Sequence, residues 1–255
     1  MKENKALQKM RSGKAAIGVF CVIASPDQAE LACSFGLDFV VLDWQHGEWT
    51  DSTISAALGR LIDQETAPLV RVRSHDAGLI NWVLDMGALG IVAPMVGNAE
   101  EARTITRTAF YPPRGFRSSG GNRLMRMAGG DKDSYTASAN DQILVVAMVE
   151  TKSAIENVSE IMAVDGIGAI MIGPGDLMID IKARGLSEAD HASLIADVAE
   201  ASRVSGVAAG LMCPNPEAAV ERARQGFKFV VVASDRSTVV AGMERLVDVT
   251  GSIER

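Results

Sequence analysis

VVAMVETKSAIENVSEIMAVDGIGAIMIGPGDLMIDI, residues 145–181, is the stretch from which the fold is read. Two apolar runs frame it, ILVVAMV (143–149) and AIMIG (169–173), and each ends in a turn that carries a carboxylate. Glu150 follows the first run; Asp176 follows the second, directly after Gly173-Pro174-Gly175. Between them SAIENVSEIM spaces its apolar residues for a helix. Strand, helix, strand in succession makes the two runs parallel neighbours, so their C-terminal ends lie side by side. Two acids at adjacent strand ends can hold one divalent cation.

The same alternation runs through the chain. The spacing predicts a short helix over 5–13 and a strand over 15–23. A helix over 26–35, closed by Gly36, leads to a strand over 39–43. Next come a helix over 51–62, a strand over 67–72, a helix over 76–86 and a strand over 90–95. Asn98 caps a helix running to residue 108. Residues 111–140, rich in Gly, Ser and Arg, read as one long loop. Strands over 143–149 and 169–172 precede a helix over 188–205. A strand over 207–213, a helix over 216–225, a strand over 227–234 and a final helix over 236–249 complete the series. Eight apolar strands alternating with helices fit a (β/α)8 TIM barrel occupying residues 1–255 as a single domain. The rival, an open doubly wound nucleotide-binding sheet, lacks its G-x-G-x-x-G turn after the first strand.

Composition excludes other classes. The 255 residues are 47% hydrophobic but only 5% aromatic, with 24 glycines, which favours close helix–sheet packing. A net charge of −7 with no basic face argues against nucleic acid as a partner. The polar start MKENKALQKMRSGK has no signal-peptide core, and no run approaches the ~20 apolar residues of a membrane span. Cys21, Cys33 and Cys213 have no metal-ligand spacing and read as buried free thiols, which points to a cytoplasmic protein.

At the C-terminal ends of barrel strands, where such folds place their chemistry, stand Asp43, His46, Arg71, Glu150 and Asp176. Singly each has a bland reading: a turn cap, an exposed histidine, a helix start. Arg71 is the odd one, because a guanidinium in an apolar strand must find partners. Together they suit one reaction. Two carboxylates and water make an oxygen site for Mg²⁺ or Mn²⁺, to which the carboxylate and keto oxygen of an α-keto acid can bind. Arg71 faces the developing oxyanion, Asp43 orients His46 as a base, and the amides of Gly175 and Asp176 hold the substrate carboxylate.

The motifs VLDWQHG (41–47), LVRV (69–72), GALGIVAPMVGNAEEA (87–102), YPPRGFRS (111–118), AMVET (147–151) and IGPGDL (172–177) arrive in the order found in the HpcH/HpaI family of class II pyruvate aldolases, which the chain resembles over residues 5–250. The resemblance implies a (β/α)8 barrel assembled as a homo-hexamer with an exchanged C-terminal helix. The implied activity is reversible cleavage of 4-hydroxy-2-keto acids to pyruvate and an aldehyde through a pyruvate enolate. It makes Glu150 and Asp176 the metal ligands for Mg²⁺ or Mn²⁺, with Co²⁺ and Zn²⁺ as alternatives. Arg71 becomes the enolate stabiliser and His46 with Asp43 the base dyad. Gly173, Pro174, Gly175, Asp176 and Met148 bind substrate, and Asp85 in VLDMGA lines a neighbouring subunit's site. Two departures bear on substrate preference: Gln45 where many members carry Glu, and Met148 where some carry Gln.

Residues 115–131 read as a lid in which Arg117 and Arg123 meet an acidic aldehyde. His75 and His191 read as surface residues. The competing functions are a Schiff-base aldolase using Lys152, a CoA-thioester lyase of the citrate lyase β-chain type, and a non-catalytic keto-acid-binding barrel.

Overall fold

The computed structural model describes residues 1–127, 129–251 and 253. Its elements, in order, are α1 (Lys5–Arg11), β1 (Ala16–Cys21), α2 (Pro26–Cys33), β2 (Phe39–Asp43), α3 (Asp51–Leu61), β3 (Ala67–Arg71), α4 (Ala77–Asp85), β4 (Gly90–Ala93), α5 (Ala99–Ala109), α6 (Asn122–Met127), α7 (Lys132–Gln142), β5 (Leu144–Val149), α8 (Lys152–Glu156), α9 (Val158–Met162), β6 (Ile167–Ile172), α10 (Pro174–Ala183), α11 (Glu188–Ser205), β7 (Ala208–Met212), α12 (Pro216–Arg224), β8 (Phe229–Ser234) and α13 (Asp235–Thr250). The eight strands form one closed barrel in sequence order, and β8 pairs in parallel with β1. The expected (β/α)8 architecture is present; the open sheet is excluded because β1 has a neighbour on each side.

Strand periodicity divides the core into two shells. On β2, Phe39 and Val41 point into the barrel while Val40 and Leu42 meet the helices. Inside, Phe39 and Phe229 stack with centroids 4.2 Å apart. Gly18 is the register partner of Phe39, and any Cβ there would overlap the Phe39 ring and carbonyl. Helix α1 closes the N-terminal end of the barrel: Ala6, Leu7 and Met10 join the interior shell. Asn4 pins it, donating from Nδ2 to the carbonyls of Leu89 and Gln142 at 3.0 Å and accepting the Leu7 N–H at 3.0 Å. Burial of a large apolar side chain such as Leu7 or Met10 contributes roughly 1.5–3 kcal/mol.

Three expectations need correction. Residues 111–140 are not a single loop but contain α6 and most of α7. This segment joins α5 to β5, at the N-terminal ends of the strands, and packs on the outer flank of α3 and α4, where Arg123 donates to the carbonyls of Ser55 and Met86 at 2.8 Å. It therefore does not cover the C-terminal rim of its own barrel. The helix expected over SAIENVSEIM is two short helices that meet at Asn157, whose Nδ2 donates to the Gly97 carbonyl at 2.9 Å. The thiols behave as expected: Cys21, Cys33 and Cys213 are buried and free.

From Arg236 onward α13 leaves the barrel. Asp235 is its buried residue, whereas Met243, Leu246 and Val249 are 59%, 60% and 70% exposed. Among the described residues, no helix is long and apolar enough to cross a membrane.

Candidate active site

The inward parity of the strands, continued to their C-terminal ends, delivers the polar side chains. On β2 the series Phe39, Val41 ends at Asp43; on β3 the series Ala67, Leu69 ends at Arg71. Asp43 and Arg71 are register partners. Arg71 donates from Nε and Nη2 to the two carboxylate oxygens of Asp43 at 2.8 and 2.6 Å, a bidentate and buried pair. The Phe20 ring lies 5.1 Å from the guanidinium. On β5 the inward series Leu144, Val146, Met148 continues to Glu150, just past the strand end.

Glu150 is 3% exposed, and its Oε2 accepts the Met95 N–H at 2.7 Å. Met95 adopts φ +54°, a left-handed conformation rare for a side chain of its size, and this turns its amide toward the carboxylate. Across the β5–β6 seam, Gly173 lies against Glu150: a Cβ at this position would overlap the carboxylate. Asp176 stands in the first turn of α10, whose N-cap is Gly173 and carries no side-chain cap. The first-turn amides of that helix therefore keep their donors for a ligand. Burial pushes the Glu150 carboxyl up from its ordinary range; the Met95 amide pulls it down, the Asp176 charge raises it further, and Arg71 opposes the rise. A buried carboxylate beside a second acid, with an all-oxygen donor set, fits a hard divalent cation. No group of three or more His, Cys, Asp or Glu converges among the described residues, so substrate and water oxygens would complete the coordination sphere.

These groups open into a cavity of about 290 Å³ whose polar lining is Asp43, Arg71, Glu150, Asp176 and Ser234, with Gly173, Pro174 and Gly175 along one edge. Its apolar wall is Phe20, Val22, Met148, Met171 and Met212. A larger hollow of about 620 Å³ lies between α11 and α12 and contains none of these groups. Of the residues expected from sequence, Asp43, Arg71, Met148, Glu150, Gly173, Pro174, Gly175 and Asp176 all line the one cavity.

His46 stands apart from this set. The Asp43 carboxylate does not hold the His46 ring, as the base dyad requires. It takes the Arg71 fork and accepts the backbone N–H groups of Gln45 and His46 at 3.3 and 3.2 Å, while the His46 side chain is exposed. The reason is that a buried guanidinium directly opposite on the next strand has the stronger claim on the carboxylate. Asp85 ends α4 outside the cavity; burial raises its carboxyl against the pull of Arg117, which donates from Nη2 to Asp85 at 3.4 Å and to the Tyr135 hydroxyl at 3.2 Å. Arg117 and Arg123 thus have protein partners and do not face the cavity. His75 and His191 are half-buried, with Nε2 on the carbonyls of Pro94 (2.6 Å) and Pro174 (3.1 Å). Lys152 pairs with Glu156 along its own helix and does not line the cavity. Sequence reading missed Phe20, Val22, Met171, Met212 and Ser234 as wall residues, although inward parity alone marks all but Ser234. Nothing in the sequence marks Met95.

An acid pair, a buried arginine and a helix N-terminus at the C-terminal rim of a parallel barrel define a (β/α)8 enzyme site for a small anionic substrate. Residues 16–241 match the family model described as HpcH/HpaI aldolase/citrate lyase, and the chain belongs to this family. It is 37% identical over 228 residues to a hydroxypyruvate/pyruvate aldolase of Roseovarius nubinhibens, covering 89% of this chain and 88% of that one. It is 35% identical over 237 residues to a 4-hydroxy-2-oxovalerate aldolase of Novosphingobium aromaticivorans, covering 91% and 89%. An HpcH/HpaI aldolase/citrate lyase family structure from Burkholderia cenocepacia superposes with a TM-score of 0.89 at 24% identity, over 98% of this chain and all of that one.

Proposed function

We propose that this chain is a divalent-metal-dependent aldolase that cleaves 4-hydroxy-2-oxo acids to pyruvate and an aldehyde, and that Glu150 and Asp176 hold the metal. The observation that carries the reading is the convergence of these two acids with Arg71 in one cavity. Aldolase relatives matched over nearly nine-tenths of the chain or more support the carbon–carbon lyase class. The bound cation, Mg²⁺ or Mn²⁺ by the hardness of the donors, would polarise the 2-keto group.

The protein's own groups have separate tasks. The open amides of α10 bind the substrate carboxylate. With Nε and Nη2 on Asp43, Arg71 keeps Nη1 for the oxygen that becomes negative as the C3–C4 bond breaks. The 4-hydroxyl loses its proton, C4 leaves as the aldehyde carbonyl, and the electron pair passes to C3, which is then protonated. We assign the proton transfer to His46, whose exposed ring is free to turn inward, while Asp43 holds its backbone and the arginine. Phe20 and the methionine wall keep bulk water from the enolate. Asp85, outside its own cavity, is assigned to a neighbouring subunit's site, and the uncovered face of α13 to the contact that exchanges this helix within a homo-hexamer. The buried free thiols suit a reducing cytoplasm.

The test is deuterium exchange into the pyruvate methyl group, read beside aldol cleavage. Chelation should abolish both, Mn²⁺ or Mg²⁺ should restore both, and borohydride with pyruvate should leave the protein mass unchanged. Full activity in excess chelator, or a reduced adduct on Lys152, would overturn the reading.

A further inference from the structure

The cavity has two arcs. Strands β2, β3, β5 and β6 supply Asp43, Arg71, Glu150 and the start of α10, whereas β7, β8 and β1 supply Met212, Ser234, Phe20 and, just past β1, Val22. In the aldolase reading, on which this inference rests, the keto acid is held on the first arc. The aldehyde that leaves C3, or that C3 attacks in the reverse direction, must then lie against the second.

That second arc is fixed by a residue outside the cavity. Asp235 is the first residue of α13, yet it does not cap the helix; Ser234 does so, in a capping box with Ser237. The Asp235 carboxylate turns across the β8–β1 seam instead. It accepts the N–H groups of Val22 (Oδ1, 2.9 Å) and Ile23 (Oδ2, 3.2 Å), together with its neighbour Arg236 N–H at 2.7 Å. It is 8% exposed, and its hydrogen-bond partners are amides: the Arg236 guanidinium goes to Glu48 at 2.7 Å. The other side of the same loop is tied too, since the Val22 carbonyl accepts the Glu48 N–H at 3.0 Å and the Cys21 carbonyl accepts the Trp49 indole N–H at 2.6 Å. Val22, a wall residue, is thus held through both its amide and its carbonyl by the loops on either side.

We infer that Asp235 is a positioning residue that sets the aldehyde-facing wall of the cavity by clamping the loop after β1. A buried carboxylate donating nothing and accepting three amides is a rigid anchor. Losing it frees Val22 and the loop after β1 but leaves the acid arc, which is built on other strands, in place. It also links the projecting helix to the site, because the anchor is the first turn of α13.

The experiment compares wild type, Asp235→Ala and Asp235→Asn as metal-loaded full chains, in three readouts. These are aldehyde KM in the synthetic direction, aldehyde-free deuterium exchange into pyruvate, and hydrogen exchange of the Val22 and Ile23 amides. Because a displacement of ~1 Å can cost up to about 10²-fold, Asp235→Ala should raise aldehyde KM by about tenfold or more while pyruvate exchange stays within about twofold. The two amides should exchange faster, and Asn, which keeps one acceptor oxygen, should fall between. A purely structural role predicts parallel losses in KM-independent turnover and pyruvate exchange; that result, or an unchanged aldehyde KM with faster amide exchange, overturns the inference. If Asp235→Ala does not fold, Asp235→Asn decides on the same readouts. Absence of pyruvate exchange in the wild type would instead remove the aldolase reading, and this inference with it.

Discussion

Arg71 illustrates how one side chain can be held by the fold and still serve chemistry. Its two bonds to Asp43 neutralise a buried guanidinium and fix the plane of the fork. Arg71→Ala should therefore lower pyruvate exchange by roughly 10²-fold or more, the scale of a lost oxyanion donor. Arg71→Lys should rescue little, because an ammonium lacks the planar fork that grips both Asp43 oxygens while aiming a further donor at substrate. Exchange at the wild-type rate in either variant would remove Arg71 from the mechanism. Glu150 makes the opposite bargain: its carboxyl is pushed up chiefly by burial and further by Asp176, so in the metal-free protein the ionised form weakens the fold. The sign follows from linkage. The folded state binds this proton more tightly than the unfolded chain does, so the penalty is present above the raised range and is relieved as the pH falls through it. Glu150→Gln should then melt higher than wild type in chelator at neutral pH, by roughly 2–4 °C if ~1 kcal/mol is recovered in a chain of this size, while metal-dependent cleavage is lost. A lower melting temperature in chelator would contradict the electrostatic account.

Among the elements, the turn into α10 is the most tightly constrained. Gly173 lies against the Glu150 carboxylate across the seam, so a methyl group there must displace the acid or the helix start. Gly173→Ala should weaken Mn²⁺ binding in a direct titration by about tenfold or more, as expected when a supporting contact of a ligand is disturbed. Unchanged affinity would show that the turn tolerates the methyl group without moving Glu150. Helix α13 poses a different question, because a helix with Met243, Leu246 and Val249 exposed is not stabilised by its own barrel. Leu246→Glu should lower the mass seen by light scattering at micromolar concentration, from an assembly toward a monomer. A wild-type chain that is itself monomeric would refute the exchanged-helix assignment.

For the whole molecule, the strands were legible because both their faces are covered: runs such as FVVLD and ILVVAMV have no polar side to show. Their order followed from alternation with helices, and closure into a barrel from their number. Asp43, Arg71 and Glu150 can be named because each breaks an apolar run at the same end of a strand, and Asp176 because it follows the glycine turn at that end of β6. Segment 111–140 reads as a loop because its low hydrophobicity hides two helices: α7 has few apolar residues and buries only Tyr135 and Ala139. What the amino-acid order determined by itself is therefore the periodic part, namely element type, parallel pairing and which acids arrive at the rim, since these depend on local spacing along one strand or helix. What only the tertiary structure decided is who partners whom across that rim. Asp43 takes Arg71 and leaves the His46 ring unheld, Met95 bends to reach Glu150, and Asp235 reaches back over more than 200 positions of chain to Val22. Such choices are set by competition among buried charges and amides brought together by closure of the barrel, a competition that spacing along the chain does not encode.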